Sequence, residues 1–134
     1  MDLAEVKLLS VSIGRSYDEA YKFLAAPENF SLWAAGMADN LRPDGDRWLA
    51  QTPAGDAQIR FTRWNDFGVL DHWVAFEDGT TVYVPLRVVV NGDGCEVMLT
   101  LLRLPGMSDE KFHEDAAGVA RDLAQLKRIL EEEK

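Results

Sequence analysis

Residues 108–134 read SDEKFHEDAAGVARDLAQLKRILEEEK and predict one long helix. Ser108 suits the N-cap, and Asp109 and Glu110 follow where carboxylates meet the positive end of the helix dipole. At about 1.5 Å per residue the helix would be roughly 35–40 Å long. The run 131–133 is all glutamate at the negative end of the dipole, so we expect it to fray. Apolar residues recur at spacings of three and four and form one stripe: Phe112, Ala116, Val119, Leu123, Leu126 and Leu130.

The composition indicates one folded domain, residues 1–134, with no nucleic-acid partner and no membrane insertion. Of 134 residues 47% are hydrophobic and four are tryptophan, which favours a packed core over disorder. The net charge of −9 argues against nucleic acids and anionic membrane surfaces, because both attract clustered Lys and Arg. No signal peptide or membrane-spanning run is visible. Cys95 is the only cysteine, so no intrachain disulfide can form, and we expect a cytoplasmic protein.

The start of the chain predicts one strand followed by two short helices. Residues 5–13 alternate and are rich in Val, Leu and Ile, which is typical of a strand. Ser16 and Glu19 have the spacing of a capping box, in which each side chain can bond the other's backbone. A short helix therefore follows, and Pro27 starts a second short helix that Gly36 ends.

The middle of the chain, from residue 39 to residue 104, predicts a series of hairpins. Five spacers contain the Gly, Asn or Asp that tight turns require: residues 44–45, 54–56, 65–68, 78–79 and 91–94. Strands joined by such short turns must be antiparallel neighbours. Pro85 lacks an amide donor and favours an edge or a bulge within the strand predicted over residues 80–90. The fold class is therefore α+β, with an antiparallel sheet of six to seven strands curved around the long C-terminal helix.

Six segments, spread over nearly the whole chain, carry a family resemblance. They are VSI at 11–13, YDEAYKFL at 17–24, APENFSLW at 26–33, GVLDHWV at 68–74, PLRV at 85–88 and LPGMSDE at 104–110. With this order of elements they resemble the START-like superfamily, also called the helix-grip or SRPBCC fold, and its bacterial subgroup of polyketide cyclase/dehydrase-like proteins of unassigned function. The superfamily spans lipid carriers, hormone receptors, cyclases, hydroxylases and chaperone activators, so the resemblance implies a fold more than a function.

The ring hydroxylases of this superfamily need an iron site, which the present sequence does not support. It contains one cysteine and only two histidines, His72 and His113, too few for a two-histidine, one-carboxylate centre unless both converge. We expect His113, beside Phe112 on the long helix, to face solvent. We therefore predict no metal and no cofactor.

Asp71-His72 is the pair that suggests acid–base chemistry, with the carboxylate orienting the imidazole. Successive side chains of a strand leave opposite faces, so at most one of the two faces the interior. His72 shares its parity with Leu70 and Val74, and we expect it to point inward. Two roles stay open for it: a structural histidine bonded to a neighbour, or an acid or base.

Arginine and tryptophan residues of the strands leave further alternatives. By parity Arg87 lies on the outer face, where it could hold a ligand carboxylate in a bidentate fork or pair with an acid of a neighbouring strand. Arg63, rather than Arg60, has the parity of the inner face, but it lies near the end of its strand and could instead reach water. Trp64 or Trp73, if directed away from the interior, could mark a dimer surface.

Three functions are consistent with this reading. The first is binding of a small hydrophobic molecule, lipid-, polyketide- or aromatic-like, in an apolar cavity between the sheet and the C-terminal helix. The second is a cyclase/dehydratase-like enzyme that uses the same cavity with His72 as its acid or base. The third is a structural homodimer with a filled cavity. The predicted ligand-binding residues are Phe30, Trp33, Ile59, Phe61, Leu70, His72, Val84, Leu86, Val119 and Leu123.

Overall fold

A computed structural model describes residues 2–34 and 39–132. Its elements follow the predicted order, with one strand, two short helices, a set of hairpins and a long helix. In chain order they are β1 (Val6–Ile13), α1 (Tyr17–Ala25), a 3₁₀ turn (Pro27–Asn29), α2 (Phe30–Trp33), β2 (Asp39–Asp44), β3 (Arg47–Thr52), β4 (Gly55–Phe61), β5 (His72–Phe76), β6 (Thr81–Val84), β7 (Leu86–Asn91), β8 (Gly94–Leu102) and α3 (Asp109–Glu132).

The predicted fold class is confirmed: a curved antiparallel sheet lies against the long C-terminal helix, which is the helix-grip arrangement. The hydrogen bonds divide the strands into two sheets, ordered β1-β8-β7 and β2-β3-β4-β5-β6. Within residues 2–34 and 39–132 there are eight strands rather than six to seven. The extra strand arises at Pro85, which splits the strand predicted over residues 80–90 into β6 and β7, in different sheets.

Residues 68–71 join the two sheets. The Leu70 amide donates to Leu86 O at 2.8 Å, and the Val88 amide donates to Gly68 O at 3.0 Å. Gly68 has a φ of +69°, and a Cβ at this position would lie 2.1 Å from Val88 O. Only glycine allows the chain to approach β7 this closely. The curvature of the sheet at this point therefore depends on a residue without a side chain.

The two predicted helix caps are confirmed. Ser16 Oγ accepts from the Glu19 amide at 3.2 Å before α1, and Ser108 Oγ accepts from the Lys111 amide at 3.1 Å before α3. The predicted end of the second helix, Gly36, lies outside the described residues, and α2 ends at Trp33.

The C-terminal end of α3 differs from the prediction of fraying. Residues 131 and 132 are helical, while Glu133 lies outside the described part of the chain. Glu131 Oε2 accepts from the Gly14 amide at 2.7 Å and from Lys127 Nζ at 2.7 Å. These bonds, to the residue that follows β1 and to the preceding turn of the helix, outweigh the unfavourable interaction with the helix dipole, which is worth under about 1 kcal/mol at an exposed site.

The carboxylate of Asp71 is the most heavily bonded polar group of the sheet. Arg87 donates from Nε to Oδ1 and from Nη2 to Oδ2, both at 2.8 Å. Tyr83 donates its hydroxyl to Oδ2 at 2.7 Å, and the Leu86 amide donates to Oδ1 at 3.0 Å. The Arg87 hydrogen bonds, aided by those of Tyr83 and Leu86, lower the pKa of Asp71 to about 2 despite its burial. Of the two roles left open for Arg87, the structure shows pairing with a neighbouring acid.

Replacing Arg87 by Met should remove the fork while keeping an aliphatic stem of similar length. Because the folded-state pKa of Asp71 is lowered, its stabilising effect is complete above the unfolded value of about 3.9 and is lost as the pH falls toward 2. We expect Arg87→Met to lower the free energy of unfolding by about 1–3 kcal/mol at pH 7. Urea denaturation at pH 7 and at pH 2.5 measures the effect, which should be smaller at pH 2.5.

The matched control is Arg42→Met, since Arg42 is exposed and, within the described part of the chain, bonds only a backbone oxygen, that of Asn40 at 3.3 Å. It should change stability little at either pH. An equal loss for Arg87→Met at both pH values would contradict the role given to the Asp71 carboxylate.

Candidate functional site

His72, the first residue of β5, lies inside the fold with only 2% of its surface exposed. Asp71 is directed to the opposite side, toward the Arg87 fork. Burial lowers the pKa of His72 to about 4, although the carbonyl of Leu70 and the charge of Asp71 act in the opposite direction. The imidazole is therefore neutral at pH 7.

Aromatic rings surround the imidazole. The ring of Phe30 meets it edge-on at a centroid distance of 5.3 Å, and the ring of Phe61 lies 5.7 Å away. Phe30 also contacts Trp33 edge-on at 5.6 Å and Phe61 at 5.5 Å. Phe30 and Trp33 come from α2, whereas Phe61 ends β4. Edge-to-face contacts of this kind hold ring orientations as well as burying apolar area.

A small void beside these rings lies between the α1–α2 segment and the sheet. Its volume is about 10 Å³, enough for about one water molecule. This void is far smaller than the ligand-holding cavity that the sequence predicts between the sheet and the C-terminal helix. Six of the ten predicted ligand-binding residues line the void: Phe30, Trp33, Phe61, Leu70, His72 and Leu86.

The other four predicted residues lie elsewhere in the core. Val119 and Leu123 of α3 are 4% and 2% exposed, and Ile59 is completely buried. Val84 is partly buried and packs against the same core. None of the four borders the void beside His72. The sequence identified the apolar face of α3, but packing density, which no periodicity reveals, decides whether that face covers a space or fills it.

Three lining residues were missed by the sequence analysis. Leu24 and Ala25 end α1, and Thr62 follows the last residue of β4. Leu24 lies on the buried side of α1, and amphipathicity can place such a residue inside but cannot place it beside His72. Thr62 could not be placed by alternation, because the strand ends at Phe61. Of the two placements left open for Arg63, the structure shows the one in water, because Arg63 lies beyond the strand and is exposed.

The site contains few polar groups besides His72. Thr62 Oγ1 donates to Asp71 O at 2.5 Å, so its proton is already engaged. Among residues 2–34 and 39–132, no cluster of His, Cys, Asp or Glu could hold a metal ion. His113 is exposed and Cys95 is buried, and neither belongs to such a cluster in the described part of the chain. In the same part of the chain no helix is both long and apolar enough to cross a membrane.

Asp122 is a buried carboxylate on the inner side of α3. It is 8% exposed, and its Oδ2 atom finds no hydrogen-bond partner among the described residues. Desolvation raises its pKa to about 6, with Arg121 opposing the shift. Ser31 Oγ, on α2, is likewise buried without a partner in that set. The helices α2 and α3 pack against each other. Each of them therefore carries one buried polar atom, Ser31 Oγ or Asp122 Oδ2, without a partner among the described residues.

The tryptophans that could mark a dimer surface are both directed away from the interior. Trp73 stacks on Tyr83 at 5.4 Å on the outer face of the sheet, beside Arg60. Trp64 is 63% exposed and meets Tyr21 edge-on at 4.7 Å.

Comparison with solved structures supports the fold. A protein of Bacillus thuringiensis superposes with a TM-score of 0.75 at 12% identity, over 94% of this chain and 98% of that one. CalU16 of Micromonospora echinospora gives 0.66 at 19% identity, over 94% and 74%. The Aha1 dimer of Colwellia psychrerythraea gives 0.71 at 16% identity, over 95% and 96%. Identities this low show a shared fold alone. No protein-family model matches the chain, and no curated protein matches its sequence.

Replacing Asp122 by Asn tests whether its charge is unfavourable in the fold. Because the folded-state pKa is raised, the folded state holds its proton more tightly, and wild-type stability falls as the pH rises from about 3.9 through 6. Asp122→Asn should therefore raise the free energy of unfolding by about 1–2 kcal/mol at pH 7 and change it little at pH 4.5. Chemical denaturation at the two pH values gives the comparison.

Asp115→Asn is the control on the same helix, since Asp115 pairs with Lys111 at 3.0 Å. It should not stabilise the protein at pH 7. A gain for Asp122→Asn that is the same at both pH values would show that charge burial is not its cause.

Proposed function

We propose that the protein binds a small hydrophobic molecule carrying a hydrogen-bond donor, lipid-, polyketide- or aromatic-like, between the α1–α2 segment and the sheet. The observation that carries the proposal is a neutral, buried imidazole inside an aromatic cluster that borders a void. Apolar pockets with one or a few polar anchors are the usual form of small-molecule sites. The site differs from the predicted one in lying beside α2 rather than under α3.

The tautomer of His72 defines what the anchor can bind. Its Nδ1 lies 3.3 Å from Leu70 O, and a carbonyl oxygen can only accept, so Nδ1 carries the proton in this contact. In a neutral imidazole the remaining nitrogen, Nε2, then has a free lone pair. Nε2 has no hydrogen bond to any residue in 2–34 or 39–132. The ligand group that fits is therefore a donor, such as a hydroxyl.

Binding requires the site to expand. A cavity of about 150 Å³ holds one benzene ring, whereas this void has about 10 Å³. At about 24 cal/mol per Å³, opening that space costs about 3 kcal/mol, or two to three powers of ten in affinity. We expect micromolar rather than nanomolar affinity for small aromatic ligands.

The α2 helix is the element best placed to move. It has four residues, no side-chain hydrogen bond at its N-cap and a buried Ser31 Oγ that finds no partner among residues 2–34 and 39–132. The opposite wall belongs to paired strands, which are more costly to displace. An outward shift of α2 would carry Phe30 and Trp33 with it and enlarge the void.

The cyclase/dehydratase-like alternative has weaker support. An acid or base at His72 would need a second polar group directed at the same point. Thr62 is engaged with a backbone oxygen, and Asp71 lies on the other side of the strand. With a pKa of about 4, His72 would also be a weak base at neutral pH.

A homodimeric structural module is the second candidate, favoured by the small volume of the void. The Aha1 protein of similar fold is a dimer. Trp64 and Phe67, 63% and 82% exposed, could contribute to a contact between copies. The single domain over residues 1–134 and the cytoplasmic location stay predictions from the sequence.

Two ligands of equal shape test the proposal: 2-naphthol and 2-methylnaphthalene. Their hydroxyl and methyl groups are similar in size, but only the hydroxyl can donate to Nε2. We expect naphthol to bind about 3–10-fold more tightly, the value of one hydrogen bond. In His72→Leu the preference should disappear while methylnaphthalene still binds. Fluorescence titration of the naphthalene group measures both affinities.

Two truncations provide the matched pair of controls. Leu86→Ala enlarges the void and should tighten the binding of both ligands, whereas Val119→Ala alters the core away from the void and should not. No binding to wild-type protein, or a naphthol preference that survives in His72→Leu, would contradict the proposal. Absence of binding together with a dimer in sedimentation would favour the second candidate.

A further inference from the structure

The outer face of the five-stranded sheet contains an open groove of about 170 Å³. Its centre is Ala75 on β5. The cross-strand neighbours of Ala75 are Gln58 on β4 and Thr81 on β6. Trp73 precedes Ala75 on the same face and is paired across the strands with Arg60. Because a methyl group lies among longer side chains, the sheet surface is hollowed at this point.

The volume and the wall fit one aromatic ring. A cavity of about 150 Å³ accommodates benzene, so the groove has room for a single aromatic ring. The indole of Trp73 is partly exposed and lines the groove. Tyr83 and the Arg60 guanidinium cover the two faces of the indole, so a planar ring placed over Ala75 packs against the indole edge.

Two arginines border the same groove. On β3 and β4, Trp48 pairs with Ile59, so the next pair along these antiparallel strands is Arg47 and Arg60. Because Ile59 points inward, both arginines lie on the outer face and line the groove. Like charges on neighbouring strands repel each other. Arg47 Nη1 donates to Gln58 Oε1 at 2.8 Å, and the guanidinium of Arg60 lies 5.7 Å from the Trp73 ring centre.

Neither arginine has a carboxylate partner among the described residues, in a chain with 23 acidic and 14 basic side chains. By contrast, Arg87 on β7 of the neighbouring sheet is paired with Asp71. Asp56 and Glu77 come one row further along the strands, beyond Gln58 and Ala75. The groove therefore has a positive end at the two arginines and a negative end toward the turns. An anionic group would be attracted to the first of these ends.

We propose that this groove binds a small aromatic carboxylate, with its ring over Ala75 against Trp73 and its carboxylate between Arg47 and Arg60. The groove is on the opposite side of the sheet from His72, so this site and the interior site are independent. Bidentate hydrogen bonds to a guanidinium give orientation as well as attraction, and an aromatic wall adds selectivity against aliphatic acids.

Benzoate and benzamide are the probes, because they have the same ring and differ in charge. In NMR titrations of ¹⁵N-labelled protein, benzoate should shift the amide signals of Arg60, Trp73 and Ala75 with a Kd in the low millimolar range. Benzamide should bind at least about fivefold more weakly, the value of a charge-assisted hydrogen bond. Raising NaCl from about 20 to about 200 mM should weaken benzoate and leave benzamide unchanged.

Variants locate the site. Arg60→Gln should remove the preference for benzoate, and Ala75→Leu should fill the groove and abolish both interactions. Arg42→Gln removes the same charge from β2 outside the groove and should have little effect. His72→Leu should leave benzoate binding unchanged, so a failure of the interior site does not affect this result. Equal affinity for the two probes, or benzoate binding that persists in Ala75→Leu, would overturn the proposal.

Discussion

The carboxylate of Asp71 accepts four hydrogen bonds at the point where the chain passes from one sheet to the other. Two come from Arg87, one from the hydroxyl of Tyr83 and one from the amide of Leu86. Tyr83 belongs to β6 and Arg87 to β7, on either side of Pro85. One buried anion therefore ties both sheets together where proline has removed a backbone donor.

This network also fixes the direction of His72. Since Asp71 is held on the outer side, the alternation of an extended chain directs the next side chain inward. Burial then keeps the imidazole neutral, and Leu70 O fixes the proton on Nδ1. The polar anchor of the proposed site is thus a consequence of an ion pair on the opposite surface. A histidine in this position contributes less to the core than an apolar residue of the same size would, which supports the proposed role in binding.

The local patterns of the sequence predicted much of the fold. The spacing of apolar residues gave α3, the Ser16–Glu19 box gave the start of α1, and turn residues gave the hairpins. These features depend on interactions between residues close in the chain. The features that these patterns missed or left open have long-range causes: Glu131 stays helical because it bonds Gly14, and Arg63 is exposed because β4 ends two residues earlier. The partner of Arg87 and the volume of the void depend on packing between distant elements, which periodicity does not encode.

The interior and the outer face present different kinds of binding surface on one sheet. Under the first proposal, the closed and apolar interior selects neutral ligands that can displace α2. Under the second, the open groove over Ala75 selects anions without any movement, because the guanidinium groups on its border have no carboxylate partner among the described residues. Side chains alternate between the two faces along β4 and β5, so no residue of these strands can contribute its side chain to both sites.

The most direct test of this account is the protonation state of His72 in the ligand-free protein, measured by NMR of the ¹⁵N-labelled imidazole as a function of pH. The account predicts a neutral ring at pH 7 with the proton on Nδ1 and a free Nε2, which titrates only near pH 4. An imidazole that titrates near its ordinary pKa of about 6.5, or that carries its neutral-state proton on Nε2, would contradict it.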